Sequence, residues 1–355
     1  MLGKHLYGSV VVRKLTLMVF GFIASSSPSL FAQSGTWTAT GTLNFPRVGH
    51  TATLLANGQV LVAGGEDTSG NLIASAELYN PARGKWTVTG SLETPRYGHT
   101  ANLLANGDVL VAGGVSGTYT ASAELYNPST GQWTATGSMT VPRVAAGAAL
   151  LPNGQVLMAG GSNLDGSSNS TAELYNPATG RWTATTNMPS AHGAPATLLL
   201  TGKVLVSGGG GVLYDPSTGL WSSTGPLYYT GGTGSTAVRL PDGDVLMYGN
   251  KFSCYAAQFY DPSRNTWART QGQCGNNVSS GPLVLLGTGK VLLAGDLITY
   301  SGHTSPTARC ALYDPSTNTW TATGSLLVAA HRTATMFPNG KVLSVGSSDA
   351  ELYTP

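Results

Sequence analysis

The sequence predicts an all-β fold, a seven-bladed β-propeller of four-stranded blades, with the ring closed by an N-terminal strand d that completes the last blade. Three observations predict it. The phrase HTATLLANGQVLVAGG at 50–65 returns as HTANLLANGDVLVAGG at 99–114, with fourteen of sixteen positions identical. All seven Trp residues fall on one grid, at 37, 86, 133, 182, 221, 267 and 320, spaced 39 to 53 residues apart. No stretch sustains a helical period. A repeat of this length marks an array of units that bury their apolar faces only against one another.

Each unit reads as four strands, a to d. Strand a ends in an apolar stretch such as Thr53-Leu54-Leu55, and Val60-Leu61-Val62-Ala63 forms strand b. Asn57-Gly58 between them predicts a two-residue hairpin, in which both turn residues take positive φ. The same slot holds Asn106-Gly107, Asn153-Gly154, Thr201-Gly202, Asp242-Gly243, Thr288-Gly289 and Asn339-Gly340. Strand b closes on Gly-Gly at 64–65, 113–114, 160–161 and 208–209, with weaker copies at Gly249, Gly295 and Gly346. Strand c, Ala76-Glu77-Leu78-Tyr79, stops at Asn80-Pro81, because proline donates no backbone hydrogen bond. Strand d starts at Trp86. The chain opens its repeats with a lone d-type strand at Trp37 and ends them on a c-type strand at Ala350 to Thr354. Pairing these two removes the raw edges of an open array.

Residues 1–32 differ from the rest. Lys4, Arg13 and Lys14 precede the ten-residue apolar run Leu15 to Ala24, and SSSPSLFA follows. This is the layout of a secretory signal peptide, and the run is too short to span a bilayer. Cleavage is expected near Ala32, although Leu30 is larger than the usual residue three positions before a cut. Residues 33–355 are then expected as one propeller domain, secreted or periplasmic, monomeric and without a membrane span. Charged residues are 10 % of the chain and the formal net charge is +2. That is no basic footprint, so no nucleic-acid partner is expected. Export permits a disulfide among Cys254, Cys274 and Cys310. The pair Cys254–Cys274 is favoured, with Cys274–Cys310 as its rival, and either leaves one thiol over.

Pro-Arg-x-x-His (Pro46 to His50, Pro95 to His99), the apolar run ending Gly-Gly, Tyr-Asn/Asp-Pro and the Trp at fixed distance resemble the kelch repeat. The resemblance covers nearly all of residues 37–355. It implies the fold more than an activity, since propellers host many unrelated functions. Kelch proteins are mostly binding modules. A few are secreted enzymes, including the copper enzyme galactose oxidase and a sialic acid mutarotase. Galactose oxidase holds copper with two Tyr and two His, one Tyr being cross-linked to a Cys, and no residue here matches that set. No cofactor is therefore expected. A binding protein or scaffold for a glycan or a protein or peptide ligand is favoured over an enzyme. The alternative is a secreted carbohydrate-active propeller enzyme of one of these two kinds, with His50 or His99 available as acid or base.

Two sets of candidate residues follow. Arg47, Arg96 and Arg143 follow Pro in blades 1 to 3, and Glu77, Glu124 and Glu173 occupy strand c of the same blades. Blades 4 to 6 carry Val212, Gln258 and Ala311 in the Glu slot and lack the Arg. Charges that come and go together suggest buried pairing, with ligand binding as the other reading. Blade 7 has Glu351 but Ala329, with Arg332 three residues on. His50 and His99 begin strand a, nearest the channel, where packing, a hydrogen bond or a ligand contact would use them. The second set lies on the variable b–c and d–a loops, the face where a rigid scaffold carries its function. It comprises Tyr97, Tyr119, Tyr228, Tyr229, Tyr300 and His303, with Asp67, Asp165 and Lys251 also on that face. Exposed Tyr with sparse charge suits sugar rings or peptides. The longest of these loops is expected in blade 6, from Asp296 to Thr307.

Overall fold

A computed structural model describes residues 35–190, 193, 195–229, 235–249, 257–271, 281–300, 303–329 and 332–355, with the backbone alone for 296–300 and 303–306. Seven four-stranded antiparallel sheets form the blades. Blade 1 is typical, with strand a at Thr51–Leu54, b at Val60–Ala63, c at Ala76–Asn80 and d at Lys85–Thr89. Strand a of each blade touches strand a of the next, and the seventh touches the first, so the blades form a ring. In blade 7, Thr36–Ala39 lies antiparallel to Ala350–Thr354, with Trp37 opposite Tyr353.

The core sits between blades. Seven apolar clusters occupy the seven seams. Strand b shows why its sequence is apolar without alternation. Val60 and Val62 face the seam with blade 7, while Leu61 and Ala63 face the seam with blade 2. A strand buried on both faces has no polar side to write. The Tyr of strand c and the Trp of strand d meet in every blade, with ring centroids 4.9–5.1 Å apart. In blades 1, 2, 3 and 7 the Tyr hydroxyl also bonds a Thr of the preceding blade, as Tyr79 does with Thr40 at 2.6 Å.

Two expectations about turns are corrected. The a–b hairpins are not two-residue turns. Gly58 N donates to Leu55 O and Leu55 N to Gln59 O, which encloses Ala56, Asn57 and Gly58. Only Gly58 takes positive φ, at 82°. This is a three-residue loop, a tight turn followed by a left-handed Gly. Asn57 serves through its side chain instead, accepting from Gln59 N at 3.0 Å. The second correction is in blade 6. The expected loop from Asp296 to Thr307 is an extended ribbon, because strands b (Val291–Tyr300) and c (His303–Asp314) continue past the blade. Asp296 pairs with Thr307 and Tyr300 with His303, with an irregularity between Ala294 and Asp296. The signal was available in Ser301-Gly302, a turn dipeptide between two runs rich in β-branched residues.

Candidate functional site

The three Pro-Arg arginines lie inside the blades. Arg47 donates through Nε to Phe45 O, through Nη1 to Gly64 O and Ser75 O, and through Nη2 to Ser75 Oγ and Glu77 Oε1. These are all five donors of a guanidinium. Arg96 and Arg143 repeat the set, ending on Glu124 and Glu173 at 2.8 and 2.9 Å. The side chains of all three arginines are fully buried. Burial lowers each guanidinium from its ordinary value, and the partner carboxylate opposes that shift. The pairing read from the sequence is present. With every N–H satisfied, these arginines have no donor left for a ligand, which corrects their place among the binding candidates.

The carboxylates do a second job. Glu77 accepts from Asn44 N and Phe45 N, fixing the d–a loop that enters blade 1. Glu124, Glu173 and Glu351 hold the equivalent loops of blades 2, 3 and 7. The Gly pair completes the joint. Gly65 N donates to Arg96 O in the next blade at 2.8 Å. A Cβ on Gly64 would stand 2.6 Å from that same oxygen, so no side chain fits. Blade 5 solves the problem without charge. Gln258 Oε1 accepts from Tyr228 N and Tyr229 N, and its Nε2 donates to Tyr229 O at 2.6 Å.

Blade 7 is built from the other side. Arg332 occupies the slot that holds His50 in blade 1. It donates to Glu351 at 2.7 Å, to Asp349 and to Val328 O, while its buried Nη1 meets no partner. Arg332 helps line a cavity of about 360 Å³ with Val48, Gly49, His50, Glu66 and Thr333. These residues come from the b–c and d–a loops and the starts of strand a, so the cavity opens at the channel end of the seam between blades 7 and 1. Sequence reasoning treated Arg332 only as a pairing residue and did not select Glu66.

His50 and His99 are buried rather than displayed. His50 Nε2 lies 3.3 Å from Thr333 Oγ1, and His99 Nε2 lies 2.9 Å from Thr51 Oγ1, each partner being one blade back. Among the described residues, no three His, Cys, Asp or Glu side chains are grouped to hold a metal ion.

On the loop face, Tyr228 and Tyr229 share one cation. Arg269, the last residue of strand d in blade 5 (Thr266–Arg269), lies over both rings, 4.8 and 5.0 Å from their centroids. Tyr228 is 53 % exposed. Arg269 was not selected from the sequence, since nothing in the repeat places it beside the two tyrosines. Tyr97 is half-buried and stands against Gly49. Tyr119 is half-buried in a small ribbon, Val115–Ser116 against Thr118–Tyr119. Tyr300 and His303 face each other in register at the end of the blade 6 ribbon. Asp67 and Asp165 cap their own loops, accepting from Asn71 and Ser167, and those bonds lower both carboxyls. Lys251, Cys254 and Cys274 lie outside the described residues. Cys310 is a free, buried thiol.

No curated protein matches the sequence. The kelch motif model matches residues 95–140. Among solved structures, a fungal alcohol oxidase of the AA5 family, in complex with copper, is similar with a TM-score of 0.73 at 19 % identity, covering 90 % of this chain and 76 % of its own. The protein YjhT is similar with a TM-score of 0.59 at 15 % identity, covering 79 % of this chain and 98 % of its own. At such identities the likeness is one of fold. Together, these findings show a seven-bladed β-propeller in which one stretch, residues 95–140, matches the kelch motif.

Proposed function

We propose that this chain is an exported binding protein that holds a glycan or peptide ligand on its b–c/d–a loop face. The observation that carries the reading is the stack of Arg269 on Tyr228 and Tyr229, exposed on that face and set by Gln258 beneath it. The exposed Tyr228 ring offers apolar surface, and the guanidinium over it keeps polar edges for hydrogen bonds to a ligand. Sparse charge around them suits a neutral or weakly charged ligand. The N-terminal pattern, basic residues followed by Leu15 to Ala24, supports export with cleavage after Ala32.

Glycan and peptide arrays probed with the protein test the first part. Binding should fall at least tenfold in Tyr228→Ala and in Arg269→Ala with the melting temperature retained. Ligands whose binding ignores both substitutions would refute the site. N-terminal sequencing of protein recovered from medium or periplasm tests the second part. A start at Gln33 supports export, and an intact Met1 in the cytoplasm opposes it.

A further inference from the structure

The opposite face carries two clefts of one design. One, of about 290 Å³, lies between the hairpin tips at Asn57 and Asn106 and the c–d turn at Asn127. The other, of about 460 Å³, lies between the tips at Asn106 and Asn153 and the c–d turn at Asn176. The second is the first moved on by one blade, position for position, and the two share the Asn106 hairpin. Leu55 and Leu104 lie beneath the successive clefts, almost fully buried, and the half-buried Pro128 and Pro177 give each cleft apolar surface.

Their polar groups are amides with capacity to spare. Asn127 Oδ1 accepts from Ser129 N, Ser129 Oγ and Thr130 N, while its Nδ2 has no acceptor among the described residues. Asn176 Oδ1 accepts from Ala178 N, and its Nδ2 is likewise without an acceptor among the described residues. No cation lines either cleft, and Asp108 is the one carboxylate among the lining residues. Blades 4 and 6 supply the contrast. The positions of Asp108 and Asn127 are taken there by Lys203 and Asp215, 3.2 Å apart, and by Lys290 and Asp314, 3.1 Å apart. In those blades donor and acceptor satisfy each other.

The geometry points to a second binding surface, for a neutral glycan chain, laid across the Asn106 hairpin with sugar units in both clefts. Amide donors and acceptors match hydroxyl groups, the half-buried Pro128 and Pro177 match the apolar faces of sugar rings, and the missing cations disfavour an anionic ligand. Two clefts lined by corresponding positions one repeat apart fit a ligand that is itself a repeat. Linked subsites make the second contact intramolecular, so affinity must climb with chain length.

Calorimetric titration with cello-, malto- and β-1,3-gluco-oligosaccharides of two to eight units tests this. One series should bind, with affinity rising at least tenfold between its short and long members. Asp108→Lys with Asn127→Asp installs the ion pair of blades 4 and 6 in the first cleft. It should return the long oligomers to the affinity of the short ones at unchanged melting temperature, while Asn176→Ala weakens binding through the second cleft. All titrations are made in the Tyr228→Ala background, so that the site proposed on the other face does not contribute. The inference is overturned if no series binds in that background, if affinity does not depend on length, or if the cleft variants bind normally.

Discussion

His99 shares a 2.9 Å hydrogen bond with Thr51, and this contact ties the first strand of blade 2 to that of blade 1. His50 makes the same link back to Thr333 in blade 7. Burial is the main force on both imidazoles, and it lowers His50 to about 4 and His99 to about 3. The nearby cations Arg47 and Arg96 push the same way, and His50 adds to the shift of His99. Both rings are therefore neutral in the folded protein at pH 7.

Acid should weaken the ring through these two residues. The unfolded chain protonates its histidines near pH 6.5, well before the folded one, so it binds more protons between pH 6.5 and about 4. Stability must fall as pH drops through that window, by on the order of 3 kcal/mol for His50 alone. Urea melts at pH 7 and pH 4.5 should show this slope, and His50→Gln with His99→Gln should flatten it. An unchanged slope in the double variant would mean that the imidazoles are not the titrating groups.

Asp244 should show the reverse dependence. Burial, then the charges of Asp242 and Asp261, raise its carboxyl to about 6. The folded state then holds a proton that the unfolded state releases near pH 4, so stability is lost as pH rises towards 6 and stays lower above it. Asp244→Asn should raise the melting temperature at pH 7.5 by a few degrees. The gain should shrink as pH falls from about 6 to about 4 and be gone below it. Paired thermal melts across that range decide it.

Arg96→Lys should be nearly as harmful as Arg96→Ala. Five guanidinium donors reach two backbone carbonyls of blade 2, Thr94 O, Ser122 Oγ and Glu124, and an ammonium group has three donors on one atom. Either change leaves Glu124 buried with a poor partner, at a cost of about 3–5 kcal/mol. Replacing both residues, Arg96→Met with Glu124→Leu, should recover part of that loss. Chemical denaturation of the three variants measures it.

Trp37→Ala should cost about 3–5 kcal/mol, the range for a buried Trp. Its ring packs 5.1 Å from Tyr353, as Trp86 packs against Tyr79 within blade 1. Equal losses for Trp37→Ala and Trp86→Ala would show that the strand from the start of the chain bears as much load as one inside a blade. A much smaller loss for Trp37→Ala would show a weaker seventh blade.

The fold was legible because its signals are periodic. Trp, Gly-Gly and Asn-Gly mark the same place in successive units, and strand b must be apolar on both faces. The Arg–Glu joint was also legible, since Glu77 and Arg47 occur in the same blades. The pairing of Glu351 with Arg332, three residues on from the usual slot, was legible too and is present. Other features were hidden for physical reasons. Gln258 replaces an ion pair by its amide, so the slot looked empty. Arg269 meets Tyr228 from the end of strand d, some forty residues away in sequence, and only the folded blade brings them together.

The pairing of Thr36–Ala39 with Ala350–Thr354 has a consequence for folding. The other six blades are each made from one stretch of chain, whereas the seventh joins two stretches about three hundred residues apart, so its closure carries the largest loop entropy of the seven. Until it closes, both strands present an open edge to other chains.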